Sequence, residues 1–86
     1  MYKIIFTQNA EKEFTRLEKT IQERIIRSLN RLLISPKRDL ERLVGLHYYK
    51  FRVGDYRLII KLDEQEEVIF IMKAGHRKNI YKNLNF

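Results

Sequence analysis

The sequence predicts a small α+β domain in which a first strand and two helices precede a three-stranded antiparallel meander. Apolar residues recur with a helical period over residues 10–33 and with a period of two over residues 48–62. The β-prone run at residues 2–6 must pair within the same sheet, because an isolated strand leaves its backbone groups unsatisfied. We expect one domain over residues 1–86, with a two-helix hairpin on one face of a small, mostly antiparallel twisted sheet and a short C-terminal helix.

The first helix is predicted to begin after Thr7 or Asn9, since either side chain can accept from free backbone N–H groups. The second is predicted to begin at Thr20, because Thr20 and Glu23 have the spacing of a capping box. Pro36 is expected to end it, since the residue before a proline avoids the helical region. Residues 37–47 are expected to be a polar connector in which Gly45 supports a turn.

The hairpin that follows can be placed in register from its turn. Gly54 and Asp55 suit a two-residue turn, which sets Val53 opposite Tyr56. Alternation then divides the two strands into a core face and a second face. The predicted core face comprises Tyr49, Phe51, Val53, Tyr56, Leu58, Ile60 and Leu62. The predicted second face comprises Tyr48, Lys50, Arg52, Arg57, Ile59 and Lys61. Residues 68–74 form the last predicted strand.

The composition limits the class of protein. The chain has 86 residues and a net charge of +7, with 18 Lys or Arg, 11 Asp or Glu and no Cys. These counts argue against a disulfide scaffold or a thiolate metal site and favour a reducing, cytoplasmic setting. Apolar runs are too short for a membrane span, and the first residues are too few for a signal peptide. The charge predicts an anionic partner, which can be nucleic acid, an acidic protein or a membrane surface.

Three cations on the second face suggest which partner this is. Arg52 should lie opposite Arg57 with Lys50 nearby, and like charges across a strand pair are destabilising. A polyanion would account for the cluster; the alternative is a plain wet face whose charges deter aggregation. Residues 73–82 add four Lys or Arg, one His and no acid, and basic residues interleaved with Tyr48 and Tyr81 suit a nucleic-acid surface. The arginines of the second helix are interpreted as its solvated surface.

Other kinds of catalytic or metal-binding site have little support in the sequence. Two serines and two histidines are too few for a convincing nucleophilic triad or a metal site. The acidic run at residues 63–67 lacks the spacing of a calcium loop. The three glycines stand apart, so there is no phosphate-binding loop. We therefore expect no cofactor and no metal.

Two segments carry a family resemblance. Residues 49–59 resemble the central hairpin of the RelE/ParE toxin superfamily, and residues 74–81 resemble the C-terminal segment of its RelE branch. The helical hairpin, Pro36 and residues 43–45 also fit, so the resemblance covers essentially the whole chain. It implies the RelE-like microbial ribonuclease fold. It also implies the toxin of a type II toxin–antitoxin system, a metal-independent endoribonuclease that cleaves mRNA in the ribosomal A site by 2′-OH attack.

The resemblance implies partners as well as an activity. These are a RelB-like antitoxin in a hetero-oligomer, mRNA and 16S-type rRNA, with no membrane. An amphipathic antitoxin helix is expected to dock against the first helices and the C-terminal segment that holds Ile80, Leu84 and Phe86. Two alternatives stay open: a ParE-like inhibitor of DNA gyrase without nuclease activity, and an RNA-binding module without catalysis.

Site residues follow by position from the family. The catalytic set implied by the resemblance is Lys50, Arg57, Arg77 and Tyr81. The implied RNA-binding set is Tyr48, Arg52, Lys61, His76 and Lys78. Tyr48 stands where the family has a second lysine, and His76 also replaces a lysine. Either Tyr81 or His76 is expected to transfer the proton.

Overall fold

In a computed structural model that describes residues 1–43 and 47–82, three helices and five strands follow in the order β-α-α-α-β-β-β-β. They are β1 (Lys3–Phe6), α1 (Gln8–Thr15), α2 (Lys19–Leu32), α3 (Pro36–Asp39), β2 (Glu41–Arg42), β3 (Tyr49–Val53), β4 (Tyr56–Asp63) and β5 (Val68–His76). The strands form one sheet in the order β1-β5-β4-β3-β2. β1 runs parallel to β5, and the other pairs are antiparallel. This confirms the predicted α+β class.

The main core lies between the helices and one face of the sheet. Its helical contributions are Ala10 from α1 and Ile25, Leu29 and Leu32 from α2, which recur at helical spacing. The sheet contributes alternate residues, as the hairpin pattern predicts. They are Phe51, Val53, Leu58, Ile60, Ile69, Ile71 and Ala74.

The predicted hairpin register is confirmed. Val53 lies opposite Tyr56 and Arg52 opposite Arg57. Gly54 has φ +59°, a left-handed conformation that glycine adopts without steric cost. Because a two-residue turn permits one pairing of the flanking strands, this backbone conformation sets which side chains share each face.

The start of α1 also agrees with the sequence. Thr7 is the N-cap, and its Oγ1 accepts from the Ala10 N–H at 3.1 Å. The same hydroxyl donates to the Met72 carbonyl of β5 at 3.5 Å. Thr7 therefore stabilises the helix and joins it to the strand beside it.

Thr7→Ala is expected to lower the free energy of unfolding by about 0.5–2 kcal/mol, the usual effect of losing a threonine cap. Urea unfolding followed by circular dichroism measures this. Thr7→Ser is the matched control, since it keeps the hydroxyl and should stay closer to the parent. An equal loss in both variants would show that the methyl group, and not the cap, is what matters.

The predicted capping box at Thr20 is wrong. α2 begins at Lys19, with Glu18 as an N-cap that makes no side-chain capping bond. The connection is held instead by Gln22, whose Nε2 donates to the Leu17 carbonyl at 2.8 Å. Because the helix starts one residue early, Thr20 lies within its first turn and has no free cap position to fill.

The predicted plain connector after α2 contains regular structure. α2 ends at Leu32, before Ser35, and Pro36 begins α3 as its first residue. Glu41 and Arg42 then form β2, which pairs with Lys50 and Tyr49. The turn predicted at Gly45 lies outside the described residues. The consequence for the site is that β3 has a partner strand that carries an acid.

One segment of β5 extends past the end of β1, where α1 covers its edge. The Ala74 N–H donates to Glu13 Oε1 at 3.1 Å, and Lys73 Nζ lies 3.4 Å from Glu13 Oε2. Both side chains of this ion pair are largely shielded from water. A side chain thus replaces the missing strand partner and holds the end of β5, from which the C-terminal segment departs.

Candidate functional site

The sheet face turned away from the helices, here called the outer face, carries the predicted cations of β3 and β4. Arg52 and Arg57 lie directly opposite each other, and Lys50 lies opposite Ile59. Lys61 shares the face but is four residues from Arg57 along β4, about 13 Å at the usual strand rise. The outer face therefore brings Lys50, Arg52 and Arg57 together and leaves Lys61 apart.

Arg57 is held in place by the hairpin turn. Its Nη1 donates to the Gly54 carbonyl at 2.7 Å and to the Tyr56 carbonyl at 2.8 Å. Nη2 and Nε provide further N–H donors on the same rigid guanidinium. A side chain fixed by two backbone bonds can present these donors to a phosphate with little loss of conformational entropy on binding.

The C-terminal segment folds back over the outer face. Residues 77–82 form successive turns, with the Asn79 and Ile80 N–H groups both donating to the His76 carbonyl. Ile80 is 2% exposed, and its Cδ1 lies 3.6 Å from the position a Cβ would take at Gly75. Gly75 is the cross-strand partner of Arg57. Ile80 therefore packs against the strand position that pairs with Arg57.

This docking covers part of the outer face and corrects one expectation. The outer face is not wholly free, because Ile59 on it is 0% exposed although it lies outside the main core cluster. Ile80 is buried, so it does not belong to an exposed stripe that a partner helix could bind. Leu84 and Phe86, predicted to be part of that stripe, lie outside the described residues. Residues 77–82 form turns, so the predicted short C-terminal helix is not found among the described residues.

Arg77 lies at the tip of the hairpin. Its backbone N–H donates to the Asp55 carbonyl at 2.8 Å, and its Nε lies 3.8 Å from Asp55 Oδ1. Both side chains are mostly exposed, so the ion pair itself is weak in water. The backbone bond is what sets the position of Arg77, on the turn that also holds Arg57.

Lys50 lies between an acid and an aromatic ring. Its Nζ is 3.3 Å from Glu41 Oε2 and 6.0 Å from the centre of the Tyr81 ring. The lysine side chain is 28% exposed, and Tyr81 is 43% exposed. This arrangement places the ammonium within the range of a cation–π contact and leaves the tyrosine accessible to a ligand.

The remaining predicted residues occupy other places. His76 lies opposite Tyr56 on the helix side of the sheet, with the two rings 5.4 Å apart edge to face. Its Nδ1 accepts from the Lys78 N–H at 3.1 Å. Lys78 is exposed, and Tyr48 is half-buried just before β3. The structure thus separates His76 from the outer face that holds Arg57.

Two acids at the site were missed from the sequence. Glu41 was not predicted to contact Lys50 because β2 was not predicted as a strand. Asp55 was predicted only as a turn residue. Because β5 lies beside β4, Arg77, which follows β5, comes close to Asp55 at the hairpin tip. Together the two carboxylates are counterions for two of the predicted catalytic cations.

Neither a metal cluster nor a membrane-spanning helix is found among residues 1–43 and 47–82. No group of three or more His, Asp or Glu side chains in these ranges is arranged to hold an ion. The helices in the same ranges are too short or too polar to cross a membrane.

Comparison with known proteins gives consistent matches. The family model of the ParE toxin of the type II toxin–antitoxin system parDE matches residues 4–81. The chain is similar to the mRNA interferase toxin RelE of Escherichia coli strain K12, with 29% identity over 80 residues that cover 90% of this chain and 84% of the relative. It is 32% identical over 89 aligned positions to Toxin RelE3 of Methanocaldococcus jannaschii, covering 92% and 94%. A chain of the intact E. coli RelBE toxin–antitoxin complex superposes with a TM-score of 0.77 at 27% identity, covering 88% and 96%.

Proposed function

We infer that this chain, which belongs to the RelE/ParE superfamily of type II toxin–antitoxin toxins, is an mRNA interferase that cleaves mRNA in the ribosomal A site. Similarity to proteins named mRNA interferase RelE supports this activity. The observation that supports it is that Arg57 and Arg77 are both held at the hairpin turn, while the outer face of the same hairpin carries Lys50 with its Nζ 6.0 Å from the centre of the Tyr81 ring. The proposed reaction is metal-independent and uses side chains of this protein together with the ribosome.

The reaction begins when the 2′-OH of one nucleotide loses its proton and its oxygen attacks the adjacent phosphorus. The bond from phosphorus to the 5′-oxygen breaks, and that oxygen takes up a proton from solvent water, which balances the proton that the 2′-OH released. The products are a 2′,3′-cyclic phosphate and a 5′-hydroxyl. The negative charge that develops on the phosphorane is the main electrostatic demand on the protein.

Three cations are proposed to stabilise this negative charge. Arg57 is preorganised by the Gly54 and Tyr56 carbonyls, so its free N–H donors are oriented before substrate binds. Arg77 comes from the turn beside it, and Lys50 from the neighbouring strand. Asp55 and Glu41 act as counterions for Arg77 and Lys50 in the free toxin, and the RNA phosphate replaces them on binding.

Tyr81 is the group we assign to the 2′-OH. It is exposed, lies on the side of the sheet that holds Arg57 and has the Lys50 ammonium 6.0 Å from its ring. As base or hydrogen-bonding partner it would orient the attacking oxygen, and its ring can stack on a base. His76 is the weaker candidate, since its ring packs on Tyr56 at the opposite side. Without an evident strong base, the toxin depends on the ribosome to hold the mRNA in line for attack.

The toxin is expected to act in the cytoplasm and to be neutralised there by a RelB-like antitoxin. The E. coli RelBE complex supports a toxin–antitoxin hetero-oligomer. An antitoxin that covers the outer face would block RNA and could supply acids for its cations. Competition between RNA and antitoxin for one face would then be the regulatory switch.

A translating extract tests the activity. Purified toxin should produce cuts in mRNA that follow the codon phase and disappear when ribosomes are removed. The match to the ParE family model favours a second candidate, inhibition of DNA gyrase. Gyrase-dependent DNA damage without mRNA cuts would establish that candidate instead, and RNA binding with neither effect would reduce the protein to a binding module.

A further inference from the structure

His76 is the last residue of β5, where the chain leaves the sheet and enters the turns of residues 77–82. Its side chain lies on the helix side, because Gly75, the residue before it, pairs with Arg57 of the outer face. The imidazole therefore stands apart from the face that is proposed to hold the scissile phosphate. Any part that His76 has in the reaction must act through groups that it holds in place.

Both the backbone and the side chain of His76 bind the turn that follows it. The carbonyl accepts from the N–H groups of Asn79 and Ile80 at 2.9 and 3.0 Å, and Nδ1 accepts from the Lys78 N–H at 3.1 Å. Since a backbone N–H can only donate, Nδ1 is the ring nitrogen without a hydrogen, and Nε2 carries it. Three successive N–H groups of the C-terminal segment thus have their acceptors on this one residue.

The Nδ1 contact has the sequence spacing of a helix cap. In a cap, the side chain of one residue accepts from an N–H two or three positions later, where the backbone offers no acceptor. Nδ1 of histidine is separated from Cα by two carbon atoms, as is Oδ1 of asparagine, so the ring nitrogen can take the position of a capping oxygen. Because Lys78 is two positions after His76, the imidazole closes the first turn of the segment.

The turn that His76 closes carries two groups assigned to cleavage. Arg77 lies within it, and its backbone N–H donates to the Asp55 carbonyl at 2.8 Å. Tyr81 comes directly after Ile80, which is 2% exposed and anchors the segment on the sheet. Opening of the turn would therefore change the positions of Arg77 and Tyr81 together.

His76 makes a second contact, with Tyr56 of β4. The two residues are cross-strand partners, and their rings lie 5.4 Å apart edge to face. The Tyr56 carbonyl accepts from Arg57 Nη1 at 2.8 Å, so the ring contact is an alternative route from His76 to the site. A phenylalanine ring can supply an edge-to-face contact, whereas the bond from Lys78 needs an acceptor atom. Substitution can therefore separate the two contacts.

We propose that His76 is a positioning residue, whose Nδ1 fixes the turn that carries Arg77 and Tyr81. The imidazole acts as a hydrogen-bond acceptor within the protein, and neither transfers a proton to the RNA nor contacts its phosphates. Asparagine suits this position because it keeps the acceptor without the ring, and phenylalanine keeps the ring without the acceptor. The inference rests on the proposed function for the reaction that is served, while the closing of the turn is a property of the free protein.

Amide hydrogen exchange of the free protein, followed by NMR, tests whether Nδ1 holds the turn. In His76→Phe the amides of Asn79 and Ile80 should exchange about 2- to 30-fold faster, the factor that corresponds to losing one cap. His76→Asn is the matched control, and its amides should stay within about twofold of the parent, since asparagine is among the best capping residues. Urea unfolding of both variants checks that the rates are compared in folded protein.

Single-turnover cleavage of mRNA on programmed ribosomes tests the consequence for the site. His76→Phe should lower the rate at saturating toxin about 10-fold, less than the roughly 10²-fold cost of a 1 Å misplacement, because Ile80 still anchors the segment. The half-saturating toxin concentration should change little, since Arg57 and Lys50 remain in place. His76→Asn should recover most of the lost rate. Any contact of the imidazole with RNA is missing from both variants, so the difference between them reports the acceptor alone.

Several results would overturn the proposal. A rate loss in His76→Asn as large as that in His76→Phe would assign the imidazole to proton transfer or to RNA contact. A loss in His76→Asn alone would assign the role to the ring contact with Tyr56. Unchanged exchange in His76→Phe, or faster exchange at the parent cleavage rate, would show that Nδ1 does not position the site.

Failure of the proposed function gives a different result. If the parent cuts no mRNA on ribosomes while the amides of His76→Phe still exchange faster than those of His76→Asn, the assigned reaction is wrong and the closing of the turn by Nδ1 is supported.

Discussion

Arg57→Ala is expected to lower the rate of ribosome-dependent mRNA cleavage about 10²–10³-fold, the usual effect of removing one preorganised donor from a developing negative charge. Arg57 is the cation that the hairpin turn fixes most firmly, through bonds of 2.7 and 2.8 Å to two carbonyls. Single-turnover cleavage of mRNA on programmed ribosomes measures the effect. Growth arrest on expression should be relieved in parallel.

Arg52→Ala is the matched control for this prediction. Arg52 is the same residue type on the same face, directly opposite Arg57, but is exposed and makes no described bond to the turn. We expect Arg52→Ala to weaken RNA binding and to reduce the salt dependence of that binding. Its effect on the single-turnover rate should be much smaller than that of Arg57→Ala. Equal rate losses in the two variants, or full toxicity of Arg57→Ala, would contradict the assigned role.

Ile80→Ala is the second variant expected to have a large effect, and its effect should be local. Ile80 is 2% exposed and anchors residues 77–82 beside Gly75, yet it lies outside the main core cluster. Truncating it leaves a cavity under the C-terminal segment, so Arg77 and Tyr81 lose their fixed positions. Because a misplacement of about 1 Å can reduce a rate about 10²-fold, cleavage should fall by roughly that factor.

Leu58→Ala provides the contrast. Leu58 is fully buried within the main core, where truncation of a leucine costs about 2–5 kcal/mol of unfolding free energy. Urea unfolding should show a smaller loss for Ile80→Ala, while hydrogen exchange at residues 79–82 should rise more than in the rest of the sheet. Two results together would contradict this role: Ile80→Ala lowers the free energy of unfolding as much as Leu58→Ala does, and its folded fraction cleaves mRNA at the parent rate. The C-terminal segment would then not position the site.

The central hairpin shows what can be predicted without coordinates. Gly54 and Asp55 between two alternating runs define a two-residue turn, and such a turn permits one register. The pairing of Arg52 with Arg57 and the division of β3 and β4 into two faces follow from that register alone. The core positions of α1 and α2 follow in the same way from helical spacing.

Contacts between distant segments could not be predicted in this way. The capping box at Thr20 fitted its local pattern but was wrong, because Gln22 bonds back to the preceding loop and shifts the helix start. β2 is two residues long and has no pattern of its own, so the pairing of Glu41 with Lys50 was not evident. The burial of Ile80 depends on a glycine in β5 that leaves room for it.

The α+β class, the hairpin register and the cations of the outer face could all be predicted from the order of the amino acids, because each depends on periodicity or on turn chemistry within a few residues. Three relations became evident only from the folded chain: the contacts of Lys50 with Tyr81 and of Arg77 with Asp55, the side of the sheet that His76 occupies, and the approach of Arg24 to Gly54. These relations depend on how segments far apart in the chain pack together, and the local spacing of residues does not predict that packing.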